Sequence, residues 1–184
     1  MRQQAQTSGR NRIALLWGFA EATLFFIVPD VWLSYLARRD LKPGLLACVY
    51  ALIGAISGGL MMYYWGYENQ AAAVTAVTKV PAIDSSMVGT ASGHIDREGV
   101  FALFRGAYGG IPYKVYAVQS YGNEIGTFPF LIVSVLSRLS RFVIVACLFH
   151  FGLKFVARMG IKWNPVIPLA VVWVLFYSFY FMVI

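Results

Sequence analysis

Leu45–Tyr67 is 23 residues long and carries no charged side chain. Crossing the ~30 Å hydrocarbon core of a bilayer takes ~20 apolar residues at 1.5 Å each, so this run is long enough. Val166–Ile184 gives 19 more residues without a charge. Phe128–Phe151 is a third candidate, interrupted only by Arg138, Arg141 and His150. Composition agrees: 59% of the 184 residues are hydrophobic and 12% are charged, against about a quarter charged in soluble domains. The expectation is one all-α integral membrane domain.

A net charge of +7 would point to nucleic acid in a soluble protein. Here the basic residues flank apolar runs or lie within them, so membrane topology and lipid headgroups explain them, and no nucleic-acid partner is expected. The polar, basic start and the lack of a small-residue cleavage site argue against a cleavable signal peptide. Cys48 and Cys147 lie in apolar runs with no metal-ligand spacing and read as packing residues. His94, in a polar loop, and His150, at a span end, have no metal-ligand company, so no metal and no cofactor are expected.

Along the chain, residues 1–12 read as a mobile polar tail. Residues 13–37 form an apolar run interrupted by Glu21, Pro29 and Asp30. Arg38–Gly44 reads as a basic loop. Residues 68–100 form the long polar segment: "NQAAAVTAVTKV" suggests a surface helix, and "AIDSSMVGTASGHIDREG" reads as loop. Residues 101–121 are a second interrupted run, holding Arg105, Pro112, Tyr113 and Lys114, and "GNEIGT" makes a turn before the next span. At an offset of 83 residues Pro29 falls on Pro112 and Leu45–Tyr67 falls on Phe128–His150. Identities are few, but the layout of interrupted run followed by span occurs twice.

Each interrupted run is either a kinked span or a re-entrant hairpin. Proline removes a donor and breaks helix geometry, and non-helical backbone at membrane depth persists only inside protein or beside water. If both runs are hairpins, Arg2, Arg10, Arg12, Arg38, Arg39, Lys42, Lys154, Arg158 and Lys162 share one face, with only Lys79 and Arg97 opposite. The positive-inside rule then favours hairpins and a cytoplasmic N-terminus. With one span between them, the hairpins enter from opposite faces and their tips, at Pro29 and Pro112, meet near the midplane. That is the inverted-repeat layout of transporter binding sites.

Glu21, Asp30, Arg105, Lys114, Arg138 and Arg141 lie inside apolar regions. Each costs ~2.5–3.5 kcal/mol at a helix centre, so six facing lipid would cost roughly 15–20 kcal/mol, more than a typical domain's stability of ~5–15 kcal/mol. They must face one another or water. Two acids against four bases leave a cationic surplus that suits an anionic group, phosphate above all. Arg138 and Arg141 share one helix face with Ser134, Ser137 and Ser140 on or near it; snorkelling is the plain alternative, although Arg138 lies roughly 15 Å in from Phe128. Glu21 is either an arginine's structural partner or a proton site. Asp30 either caps the following helix or binds a proton or ion. Arg105 either joins the cavity or marks the hairpin entrance; in the second case Lys114 is the tip cation. "GAISGG", with Gly54, Gly58 and Gly59, is a close-packing face. Tyr63, Tyr64, Trp65 and Tyr67 read as an interfacial aromatic belt.

"EATLFFIVPDVWLSYLARRDLKPGLLACVYALIGAISGGLMMYYWGY" and "FRGAYGGIPYKVYAVQSYGNEIGTFPFLIVSVLSRLSRFVIVACLFHFG" resemble the two halves of the DedA family, also called VTT-domain or SNARE-associated Golgi proteins, and in particular its YqaA-like branch. The resemblance covers about residues 17–152. It implies a membrane domain over residues 13–156, with hairpins at 13–37 and 101–121, spans at 45–67 and 128–153, an extramembrane segment at 68–100, and an added C-terminal span at 166–184. The family's first-tip acids correspond to Glu21 and Asp30, its second tip to Pro112, Tyr113 and Lys114, and its basic helix to Arg138 and Arg141. Val28 stands where many relatives have proline, and Lys114 where the better-studied branch has arginine, so a phosphate there would meet a point charge rather than a fork. The second basic position of that branch has no clear counterpart, although Arg105 is nearby in sequence.

The resemblance implies movement of an anionic lipid headgroup, such as undecaprenyl phosphate or a phospholipid, across a bacterial cytoplasmic membrane. In this view Lys114, Arg138 and Arg141, with Arg105 and Tyr113, hold the headgroup, and Glu21 and Asp30 supply proton coupling. Membrane lipids are the expected partners, and a homo-oligomer is compatible with the sequence. A proton-coupled carrier of a small ion or solute and a non-transporting assembly protein are the rival classes. An enzyme is not expected: there is no nucleophile–base pair at usable spacing, no metal cluster and no Gly-rich phosphate loop.

Overall fold

The computed structural model describes residues 2–160 and 164–183, with side chains described for residues 8–160 and 164–182. Lys162 and Ile184, placed above on the basic face and at a span end, lie outside the described residues, as does the side chain of Arg2. The described chain is helical: α1 (Arg2–Ala22), α2 (Asp30–Ala37), α3 (Leu41–Glu68), α4 (Gln70–Val77), α5 (Ser85–Glu98), α6 (Ala102–Tyr108), α7 (Tyr113–Ser120), α8 (Thr127–Arg158) and α9 (Val166–Val183). No strand occurs among the described residues. Two helices, α3 and α8, are long and apolar enough to cross a membrane, and α9 is a shorter apolar helix.

Helix α1 ends where Thr23 turns its hydroxyl back onto the carbonyls of Phe19 and Ala20, at 3.1 and 2.9 Å. The next residues, Leu24 to Val28, are apolar and lead into Pro29, which disfavours helix before it and sits at the N-cap of α2. The chain folds back across this break. The Trp17 indole donates to the Ile27 carbonyl at 2.9 Å, and the Trp32 indole to the Arg10 carbonyl at 3.2 Å. A span merely kinked at Pro29 would hold residues 10 and 32 roughly 30 Å apart, so α1 and α2 form an antiparallel helical hairpin. A second break, Gly109–Pro112, separates α6 from α7; Gly110 has φ +87, the left-handed region that glycine reaches without strain. Helices α2 and α7 are each eight residues long and start directly after Pro29 and Pro112.

The small residues of α3 seat both hairpins. A Cβ on Gly54 would collide with the Leu15 carbonyl of α1, and one on Gly58 would lie 2.7 Å from the Phe19 carbonyl. Gly59 lies against the Tyr113 ring and Gly66 against the Val118 backbone of α7. Close approach of backbones needs residues of this size. Every residue of α7 is buried, which makes it the innermost helix. Helix α8 runs antiparallel to α3: the Phe130 ring lies 4.7 Å from that of Tyr63, tilted by 31°, near one end, and His150 Nδ1 lies 2.7 Å from the Ala37 carbonyl, just before α3, near the other. Twenty residues of α8, roughly 30 Å, separate these levels.

Four expectations are corrected. Residues 2–12 belong to α1. Helix α3 begins at Leu41, because the Asp40 carboxylate accepts from the Lys42 amide at 3.2 Å and Pro43 is tolerated in a first turn; the basic loop therefore shrinks to residues 38–40. The segment read as loop contains α5. Its serines and glycines disguise it, but Asp84 caps it through the Met87 amide at 2.8 Å, Gly99 with φ +58 ends it, and Val88, Ala91 and Ile95 bury one face. Tyr63 does not belong to an interfacial belt. It is fully buried and donates to the Ile125 carbonyl at 2.7 Å, while Tyr64 and Tyr67 are exposed.

Candidate functional site

The two breaks meet beside the middle of α8. Arg138, on the face of α8 turned toward the first hairpin, pairs with Glu21 in the last turn of α1. One turn along, Arg141 Nη2 lies 2.8 Å from Asp30 Oδ2, and its Nε donates to the same oxygen at 3.0 Å. Arg141 Nη1 donates to the Ala107 carbonyl of α6 at 3.0 Å, so this one guanidinium ties the two hairpins together. Lys114, in the first turn of α7, crosses in the other direction and donates to the Phe25 carbonyl of the first break at 2.6 Å. The Tyr113 hydroxyl donates to Ser134 at 2.9 Å, and the Tyr108 and Ser140 hydroxyls share a hydrogen bond of 2.8 Å.

Two acids and three bases thus sit within a few turns of one another, with Glu21, Asp30, Lys114 and Arg138 each at most 3% exposed. The spacing of Arg138 and Arg141 sends each to a different acid. Neither snorkels. Asp30 does not cap α2, which has no side-chain cap; its Oδ1 is buried without a hydrogen-bond partner among the described residues. Arg138 is also flanked by the rings of Tyr113 and Phe142, at 5.0 and 4.9 Å.

A cavity of about 510 Å³ opens beside this cluster. Glu21, Tyr113, Lys114 and Arg141 line it, with the backbone of Gly109–Pro112. Arg138 is not among the lining residues; its guanidinium pairs with Glu21, which is. Arg105 is also absent from the cavity. Its guanidinium turns outward to Glu98, with Nε at 2.7 Å and Nη2 at 2.5 Å, because a half-exposed arginine finds a partly solvated carboxylate seven residues earlier at lower cost than a buried site. That contact holds the Glu98 carboxyl below its ordinary 4.5. Pro29 borders the first break behind Val28, and Pro112 lies in the cavity wall.

Two parts of the wall were not anticipated. Phe176, Tyr177, Phe179 and Tyr180 of α9 close one side. Tyr177 accepts from the Val28 amide at 2.9 Å, and the Trp173 indole donates to Ser34 of α2 at 3.0 Å. Val80, Pro81, Ile83 and Met87, from the α4–α5 connection and the start of α5, cover another side. The aromatic spacing 173, 176, 177, 180 marks one helix face, the only sequence signal for the α9 wall, but lipid-facing aromatics give the same pattern. Among the described residues no group of three or more His, Cys, Asp or Glu is placed to hold a metal ion.

No family model matches the chain, and no solved structure matches it. An uncharacterized protein of Haemophilus influenzae is 30% identical over 168 residues, covering 86% of each chain. A protein of Histophilus somni, described as an uncharacterized protein HI0703 homolog, is 27% identical over 188 aligned positions, covering 89% of this chain and 90% of its own. With that identity sustained over nearly the whole length of both, the chain belongs to the family of the Haemophilus influenzae protein.

Proposed function

We propose that the chain is a DedA-like membrane protein that carries an anionic lipid headgroup between leaflets, without covalent chemistry. In this reading α3, α8 and α9 cross the bilayer, the α1–α2 and α6–α7 hairpins enter from opposite faces as an inverted repeat, and the headgroup passes through the cavity while its acyl chains stay in lipid. The observation that carries the proposal is the cavity itself. It lies between two helix breaks, beside the midpoint of a 32-residue helix, with Lys114 and Arg141 in its wall. Cations on a largely apolar wall are costly and are what an entering phosphate would offset.

Charge distribution supports the same orientation. The Trp32–Arg10 and His150–Ala37 hydrogen bonds bring Arg10, Arg38, Lys42, Lys154 and Arg158 toward one end of the bundle. Asp84, Glu98 and Glu124 belong to segments near the other end, where Tyr63 meets Ile125. This supports a cytoplasmic basic end under the positive-inside rule. Purified protein in phosphatidylcholine vesicles should accelerate exchange of a fluorescent anionic phospholipid between leaflets, read by external chemical quenching. Lys114→Ala should remove most of that acceleration. No acceleration by the folded wild-type protein refutes the proposal.

A further inference from the structure

We infer that the cavity accepts a phosphodiester with a single negative charge, in preference to a doubly charged phosphate monoester or a zwitterionic diester. The inference rests on the reading of the cavity as a phosphate site and adds the charge of its occupant. Among the described residues the buried cluster holds Glu21, Asp30, Lys114, Arg138 and Arg141. Both carboxylates are engaged: Glu21 by Arg138 and Asp30 by Arg141. Lys114 is 1% exposed and its hydrogen bond goes to a neutral acceptor, the Phe25 carbonyl. The cluster therefore carries one surplus positive charge.

The size of that surplus decides what fits. The rest of the wall is largely apolar, with Phe176, Phe179, Val80 and Ile83 facing the cavity, and charges so placed are weakly screened. One negative charge neutralises the cluster. A monoester carries nearly two at neutral pH and overshoots by about one, which the desolvated site penalises. A zwitterionic diester leaves the surplus in place and brings in a cation; Glu21 is already engaged by Arg138, and Asp30 Oδ1 has no exposed surface to offer it. Lysine also suits the diester, because a point charge needs only one of its two free oxygens, whereas arginine's fork favours bidentate contact.

The test is calorimetric binding to the full chain in detergent micelles, using glycerophosphoglycerol as monoanionic diester, glycerol 3-phosphate as monoester and glycerophosphocholine as zwitterion. The expected result is binding of the monoanionic diester about tenfold or more tighter than either competitor. Equal or tighter binding of the monoester or the zwitterion, or no binding of the diester, overturns the inference. Lys114→Gln, which makes the cluster neutral, should abolish the preference for the monoanion over the zwitterion, and Lys114→Arg should keep it; an unchanged order in folded Lys114→Gln also overturns it. A lipid arm separates the two sources of such a diester, with fluorescent phosphatidylglycerol exchange measured in phosphatidylcholine vesicles. Exchange that glycerophosphoglycerol inhibits supports a lipid headgroup as the occupant. Diester binding without lipid exchange supports the charge assignment and refutes the lipid-moving reading, leaving a carrier of free phosphodiesters.

Discussion

Replacing Arg138 by methionine strips Glu21 of its ion-pair partner in a place where neither side chain is more than 4% exposed. Removing one member of a buried pair typically costs ~3–5 kcal/mol, because the remaining charge is left uncompensated. The pair itself is worth far less than that. Both ions lose solvation on folding, and Arg138 Nε has no hydrogen-bond partner among the described residues, an omission that costs about 1–3 kcal/mol in its own right. The double variant Glu21→Leu plus Arg138→Met should therefore recover most of the loss and fall within about 1–2 kcal/mol of wild type, on either side of it. Equilibrium unfolding in mixed detergent micelles, followed by tryptophan fluorescence, reads both values. Because the double variant removes one charge of each sign, the surplus on the cluster is unchanged and the order of ligand preference should persist. Single and double variants equal within about 1 kcal/mol would refute this account: Arg138 would then not be compensating Glu21.

Other perturbations isolate single features. Gly54→Ala should destabilise by ~1–3 kcal/mol, since its Cβ meets the Leu15 carbonyl and lies 2.8 Å from the Phe19 nitrogen; Gly89→Ala, with nothing within 4 Å, should instead gain about 0.5–1 kcal/mol, and the same unfolding assay reads both. Tyr177→Phe removes the acceptor for the Val28 amide and should speed hydrogen exchange at that amide; unchanged exchange there would show that α9 does not hold the first break. Glu98 titrates below its ordinary 4.5 because Arg105 bonds the ionised form, so that contact is complete above 4.5 and is lost as pH falls through the depressed value. Carboxyl NMR should place the Glu98 midpoint below 4.5 in wild type, and nearer 4.5 in Arg105→Gln.

The positions of the buried charges were legible because hydrocarbon makes an unpaired ion so costly that each such residue must have a partner. Which partner was not legible. Glu21 and Arg138 are 117 residues apart, and nothing local links them. The breaks were visible through Pro29 and Pro112. The fold-back of α1 on α2 rests on two indole hydrogen bonds that an interrupted apolar run does not announce. Helix α5 was misread because serine and glycine count against a helix in composition, while its cap and its 88, 91, 95 stripe depend on position. Arg105 lies in an apolar run, which leaves the cavity and the hairpin entrance both open to it. The deciding fact is Glu98, seven residues earlier, on the solvent side.

The two breaks look alike from inside the cavity and unlike from outside it. Behind the first stands α9, fixed to α2 by the hydrogen bond that Trp173 donates to Ser34, to the break by the one Tyr177 accepts from the Val28 amide, and to α8 by a stack of Trp173 on Phe149, 5.6 Å between centroids. Over the second lies the α4–α5 connection, which presents Val80, Pro81 and Ile83 through apolar contact and turns at Ala82 with φ +62, a conformation an alanine adopts only under strain. In the proposed function, a headgroup that crosses passes both covers. In the proposed orientation, the cover nearer the basic end is held by directional bonds that must all break together, and the other by dispersion and burial that yield gradually. On that proposal the Tyr177 and Trp173 contacts are expected to set the slower opening, and weakening them should raise the exchange rate before it lowers stability.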